Sequence, residues 1–356
     1  MTVTQLYHTL QRKIRHLIPT GHAYRARNLA WIMTGIYLSR SVHLSRIANK
    51  WPGRAQRESR VQRLRRFLRN ASVRVREWYA PVATPLLAAA AQQGEIRLLL
   101  DATKVTAHHQ LLMVALAYRR RALPIAWTWV RKARGHSSGA KQVALLAYVR
   151  QLLPADSQVI LVGDSEFTAV QDAAEAWGWG YVLRQKGSHL FQESPDGAWQ
   201  RLDSLAPKPG RKCWLTQVAL TRQHQRICNL LVWWQPGEKK PWLLATNLPS
   251  PRQAAQFYSR RMWIEEMFGD FKKNGFDLER SRLRHVMRLS RLTLAVALLY
   301  VLVVAFGSAT IKRGRRKEVD RSNRRDLSIF RIGYDMLERC FINGQSPSLP
   351  TIPYFT

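Results

Sequence analysis

Acidic residues are scarce in this chain: 23 Asp and Glu stand against 57 Lys and Arg in 356 residues, a formal net charge of +34. That excess is far beyond what solubility needs and points to a polyanionic partner, with nucleic acid ahead of an acidic membrane surface. Cysteine is scarcer still. Cys213, Cys228 and Cys340 form no CxxC pair, which argues against a disulfide framework or a zinc ribbon and suits a reducing cytosol. Internal repeats are lacking, as is any low-complexity tract beyond arginine enrichment. The first nineteen residues hold no uninterrupted apolar core, so a secretory signal is not expected there. A single long apolar run, Leu292 to Ala309, approaches membrane-spanning length. Its lead-in, "ERSRLRHVMRLSRL", is basic and amphipathic, and the run itself includes Thr293, Tyr300, Gly307 and Ser308. It is therefore expected to be a buried core helix with no membrane contact.

What is present is a 46% hydrophobic chain, enough for a sizeable core and two or three modules. Residues 1–94 show helical periodicity and many arginines. After a Pro-Gly break behind Trp51, Val61, Leu64 and Leu68 fall on one side of a helix and Arg57, Arg60, Arg63, Arg66 and Arg69 elsewhere. Two readings stand for this region: a helical DNA-binding module, or an arginine-rich face on a core domain.

From Glu95 the pattern changes to three strands, helix, strand, helix, strand across residues 95–186. That order is expected to give an α/β, mixed-sheet core whose first three strands form a meander, the layout of ribonuclease-H-like folds. Residues 187–248 break the alternation and read as a β-rich insertion. Residues 249–310 supply core helices, one from about Ser250 to Asn274 followed by the long apolar one, and residues 311–356 form a helical, basic C-terminal region.

Asp101 in "LLLDATKV" and Asp164 in "LVGDSEF" each follow an apolar strand, where side chains of an open α/β sheet emerge into a ligand crevice. Either alone is an ordinary strand-ending turn residue. As a pair they would repel unless a hard cation lay between them. A third acid comes from "QFYSRRMWIEEMFGDFKKNGF". At about 100 degrees per residue, Tyr258, Arg261, Glu265 and Lys272 share one stripe roughly 60 degrees wide, and Glu266 falls off it. Arg261 and Glu265 are spaced for an i to i+4 ion pair. Three carboxylates with no matching His/Cys cluster suit Mg²⁺ or Mn²⁺. Two such ions would serve an in-line displacement at a phosphodiester.

Asp101, Asp164, and the run Tyr258, Arg261, Glu265, Lys272 with intervals of two, three and six residues resemble the DDE triad and YREK motif of bacterial insertion-sequence transposases, the insertion-sequence-four type. Weaker similarity extends from about Arg63 to about Leu337. The resemblance implies a ribonuclease-H-like catalytic core and Asp101, Asp164 and Glu265 as catalytic ligands of two metal ions. It also implies Tyr258, Arg261 and Lys272 as DNA contacts, and strand transfer by a free 3′-hydroxyl. Trp242, at the start of the strand before the glutamate helix, stands either as the residue that stacks on a flipped base or as an ordinary strand aromatic. The implied partners are double-stranded DNA, both element ends and target, with a dimer in the synaptic complex. The implied place is the cytoplasm, at a bacterial nucleoid. Two other functions share parts of this pattern: a non-catalytic DNA-binding regulator of transposition, and a ribonuclease-H-like nuclease that cleaves without joining.

Overall fold

The structure is a computed structural model that describes residues 2–19, 21–131, 137–205 and 208–355. Five helices open the chain: α1 (Val3–Leu17), α2 (Ala23–Ser39), α3 (Leu44–Asn49), α4 (Arg57–Arg69) and α5 (Val75–Ala91). Val61, Leu64 and Leu68 are buried as their spacing predicts, and the arginines of α4 take the other faces. The strand and helix alternation follows: β1 (Ile96–Thr106), β2 (His109–Tyr118), β3 (Arg121–Arg131), α6 (Gly139–Arg150), β4 (Val159–Gly163), α7 (Gln171–Ala176) and β5 (Gly180–Arg184). The insertion carries β6 (Leu190–Gln192), β7 (Gln200–Arg201), β8 (Lys212–Leu220), β9 (Arg226–Trp233) and β10 (Trp242–Thr246). Four helices complete the fold: α8 (Pro251–Ser259), α9 (Met262–Phe271), α10 (Val286–Lys312) and α11 (Ile329–Ile342).

Among the described residues the strands form one mixed sheet, ordered β3-β2-β1-β4-β5-β10-β9-β8-β6-β7. The β1-β2-β3 meander is antiparallel, while β1, β4 and β5 run parallel. The insertion is continuous with the core sheet, because β10 pairs with β5 and draws β9 and β8 after it. Its strands serve two cores at once. Leu231 and Leu244 face the main core, whereas Leu230, Val232, Leu243 and Ala245 face a smaller one with Phe191, Leu202 and Val218. This is the two-residue period of a strand buried on both sides.

The long apolar run is the buried core helix expected of it. In α10, 94% of the apolar window is enclosed by protein. α10 touches α2, α4 and α5 on one side and β3 and α11 on others, so the N-terminal helices share one apolar core with the sheet. Arg291 is buried in that junction, donating from Nε to the Val73 carbonyl (3.1 Å) and from Nη1 to the Leu68 carbonyl (2.9 Å). It satisfies one acceptor in the last turn of α4 and one beyond it that packing has removed from water.

Two local expectations change. The helix expected from Ser250 to Asn274 is two helices, α8 and α9, joined through Arg260 and Arg261. Four backbone bonds there run from residue i to i−3 rather than i−4: Arg260 to Phe257, Arg261 to Tyr258, Trp263 to Arg260 and Ile264 to Arg261. Such a turn advances about 120 degrees per residue, which brings Tyr258 and Arg261 into line more closely than an α-helix would. Asp101 does not end its strand. The parallel pairing of β1 with β4 stops at Leu100 opposite Gly163, but β1 runs on against β2, with Asp101 opposite Met113. Asp101 thus stands where the sheet opens on the β4 side.

Candidate active site

Asp101 sits on β1 just past the last β4 pair, and Asp164 is the first residue after β4, so neighbouring parallel strands deliver both acids to one rim. The α8–α9 turn brings the third. Arg261 Nη2 lies 2.6 Å from Glu265 Oε1, and Nη1 lies 3.3 Å from Asp101 Oδ2 and 4.0 Å from Asp164 Oδ2. All three predicted carboxylates therefore gather around one guanidinium, whose side chain is only 10% exposed. Glu166 is not among these pairs; its carbonyl accepts from Gln142 Nε2.

The electrostatics follow from that burial. Asp101 has its pKa pushed up to about 7, first by desolvation, against the opposing pull of Arg261 and the Ala102 N–H at 2.8 Å, with Glu265 and Asp164 adding to the rise. Burial alone would lower the pKa of Arg261, but Tyr258, Asp101, Asp164 and Glu265 together hold it above its ordinary value and charged. Burial raises the Tyr258 phenol, with Arg261 pulling the other way.

Tyr258 is buried beside this arginine, and the Trp242 ring meets it edge-on at 4.8 Å. Trp242 also packs edge-on against Trp233, its cross-strand partner, at 5.6 Å. Lys272 stands apart from the cluster. α9 ends at Phe271, so the helical count that put Lys272 on the Glu265 stripe runs past the helix; its backbone turns to ψ −137° and its Nζ pairs with Glu279 at 3.3 Å.

The adjacent acids Glu265 and Glu266 divide between two networks. Glu266 reaches Arg121 at the start of β3 (3.2 Å), and Asp270 joins the same guanidinium at 2.9 Å. Sequence reasoning passed over Arg121 and Asp270, although the i to i+4 spacing of Glu266 and Asp270 was a usable signal. Asp270 is nearly enclosed and its pKa rises to about 7, chiefly through burial and against the pull of Arg121. Because the folded state keeps this proton where the unfolded chain has lost it, stability falls as pH climbs from the ordinary aspartate range through about 7. Unfolding in denaturant at pH 5 and pH 8 should show a smaller pH dependence for Asp270→Asn than for the native chain; equal dependence would refute the assignment.

Whether the three acids suit a metal is decided by their chemistry. The donors are all oxygen, which fits a hard divalent cation, and mutual repulsion already demands a positive charge among them. Among the described residues no three His, Cys, Asp or Glu are closed into a metal cage. Here the positive charge is the Arg261 guanidinium, which keeps the carboxylates gathered and apart.

An acid on β1 just past its β4 pairing, an acid just after β4 and a helix acid surround a buried cation in a strongly basic α/β chain. Residues 92–302 match the family model described as the transposase DDE domain. That match covers well over half of the chain, which belongs to this family: it is a DNA transposase, an enzyme of DNA cleavage and strand transfer, and such enzymes use divalent metal ions. No curated protein matches it. Among solved structures, a piggyBac transposase synaptic complex with hairpin DNA is similar at a TM-score of 0.42 and 10% identity, over 99% of this chain and 83% of that one.

Proposed function

We propose that this chain is an insertion-sequence transposase of the insertion-sequence-four type, with a ribonuclease-H-like core, acting by cut-and-paste on inverted-repeat element ends and a target duplex. Asp101, Asp164 and Glu265 are its catalytic carboxylates and the ligands of two Mg²⁺ ions, with Mn²⁺ able to substitute. The observation that carries this reading is the convergence of the three acids on Arg261.

The chemistry that such ions supply when bound is activation of an attacking oxygen and stabilisation of the leaving oxygen at a phosphodiester. The chain's own residues do the rest. Arg261, released from carboxylates that a metal neutralises, is placed to hold a DNA phosphate beside the reacting one. Tyr258 backs that arginine from the buried side, and Lys272 meets the backbone further along. Trp242 offers an indole face to an unstacked base, an interaction of about 1–3 kcal/mol. Residues 1–94 and the basic segment 311–356 extend the DNA-binding surface; two chains hold paired ends in the synaptic complex, at the nucleoid in a bacterial cytoplasm.

The test is incubation of labelled DNA carrying the sequences that flank this gene, with Mg²⁺, Mn²⁺ or chelator, followed by capture of joined products. Metal-dependent cutting at the repeat boundary with joining to a second duplex is expected. Cutting without joining would leave a nuclease, and binding without cutting in either metal would leave a regulator.

A further inference from the structure

A second cationic site lies where the N-terminal helices meet the segment after α9. A cavity of about 470 Å³ is lined by His43, Arg46, Glu279, Arg280 and Arg282, and by none of the three catalytic acids. His43 immediately precedes α3 and Arg46 lies within it; the other three come from the short 3-10 turn Leu278–Ser281 and the residue after it. The walls therefore belong to chain segments more than two hundred residues apart in sequence. Three arginines and a histidine share a single lining carboxylate.

That carboxylate is already engaged, since Glu279 pairs with Lys272 at 3.3 Å. Arg280 finds Asp277 at 3.6 Å, on the rim. Arg46 and Arg282 are exposed and have no carboxylate partner among the described residues. The backbone is held against its preference on both sides of the turn: Asp277 (φ 56°) and Arg282 (φ 55°) are both left-handed, a conformation that costs a residue with a Cβ about 1–2 kcal/mol. His43 reports the same field: burial lowers its pKa first, then Arg282 and Arg46, with Asp277 opposing. Like charges pressed around an open cavity are unfavourable in the free protein and become favourable once an anion enters.

We propose that this cavity binds a backbone phosphate of DNA, at a point removed from the catalytic carboxylates. The lining offers three arginines, an imidazole and one carboxylate, with no Phe, Tyr or Trp, so the ligand it suits is an anion, and the phosphate backbone is the part of DNA that supplies one. The site ties the N-terminal helices and the core to one duplex. This inference rests on the transposase reading for its choice of DNA as the phosphate source.

The experiment is fluorescence anisotropy with a labelled random-sequence duplex over a series of KCl concentrations. Replacing Arg46 and Arg282 together by Ala is expected to weaken binding about tenfold at about 0.1 M salt and to lower the slope of log K against log salt by about 1, the signature of one lost phosphate contact. Arg46→Lys with Arg282→Lys should keep the native slope, which separates loss of charge from loss of fold. Arg201→Ala with Arg222→Ala, on the insertion, removes the same charge elsewhere. Native slope and affinity in the Arg46/Arg282 alanine variant, or an equal loss in the Arg201/Arg222 variant, overturns the site and leaves the transposase reading intact. A native protein that neither binds nor cuts DNA overturns both.

Discussion

Asp101→Asn is expected to abolish DNA cleavage and, above pH 7, to raise the thermal midpoint of the free protein. The two effects have one cause. The Asp101 side chain is 13% exposed and shares its surroundings with Asp164 and Glu265, so ionising it in the folded state is unfavourable; its pKa of about 7 measures that. A tenfold change in proton affinity corresponds to about 1.36 kcal/mol, so ionised Asp101 opposes folding by several kcal/mol at pH 8, to order of magnitude. Asparagine has the same shape, can still accept from the Ala102 N–H, and carries no charge. Arg261 keeps Glu265 and Asp164 as partners. That pKa already includes the attraction to Arg261, so the relief is net of it; discounted for relaxation around the ionised group, a gain of about 1–2 kcal/mol is expected, or roughly 2–4 °C.

Activity moves oppositely, since an amide is a poor ligand for a hard cation, and a loss on the order of 10³-fold or more is expected. Mg²⁺ should raise the midpoint of the native protein by mass action and leave the variant's nearly unchanged. Proton and metal compete for the same carboxylate, so the native response to Mg²⁺ should fade as pH drops through about 7. Differential scanning at pH 8 with and without Mg²⁺, beside the cleavage assay, measures all of this. A variant less stable than the native chain, yet responding equally to Mg²⁺, would remove Asp101 from the metal site.

The ease with which this site could be read from sequence depended on distance along the chain. Glu265 and Arg261 are one helical turn apart, and their pairing was legible from spacing alone. Asp101 and Asp164 were legible as acids beyond apolar strands, because a buried strand leaves few places for a carboxylate except its rim. Their meeting with Arg261 needed the parallel β1–β4 pairing, which no local pattern encodes. Lys272 was misplaced by a helical count because nothing in "DFKKNGF" marks Phe271 as the last helical residue. The 3-10 junction at Arg260 and Arg261 was hidden too, since arginine is a good helix former and gives no break signal. The insertion read correctly as strands, but its continuity with the core sheet rests on β5 meeting β10, some sixty residues apart.

The largest effect on folding is expected from Gly333→Ala, at the crossing of α10 and α11. A Cβ built on Gly333 would lie 1.9 Å from the Val303 carbonyl oxygen and 2.8 Å from the Gly307 nitrogen; one on Gly307 would lie 2.1 Å from the Ile329 carbonyl oxygen. The helices therefore touch backbone to backbone through two glycines, and the clashing atoms cannot rotate away as a side chain could. Alanine favours a helix interior over glycine by about 1 kcal/mol, but relieving the clash means moving α11 bodily. That movement would loosen Phe330, Tyr334 and Leu337, all buried, and the contact between Tyr334 and Tyr37 that ties α11 to the N-terminal helices. Overpacking of a rigid contact costs about 1–3 kcal/mol and occasionally more, and here the backbone itself is struck, so about 3 kcal/mol or more of lost stability is expected. Gly269→Ala is the contrast. Its Cβ would meet only the Asn274 side-chain amide, at 3.0 Å, which can swing aside, so helix propensity should prevail and stability should hold or rise slightly. Denaturant unfolding of both variants decides the matter, and a Gly333→Ala protein as stable as the native chain would mean that α10 and α11 do not cross at these glycines.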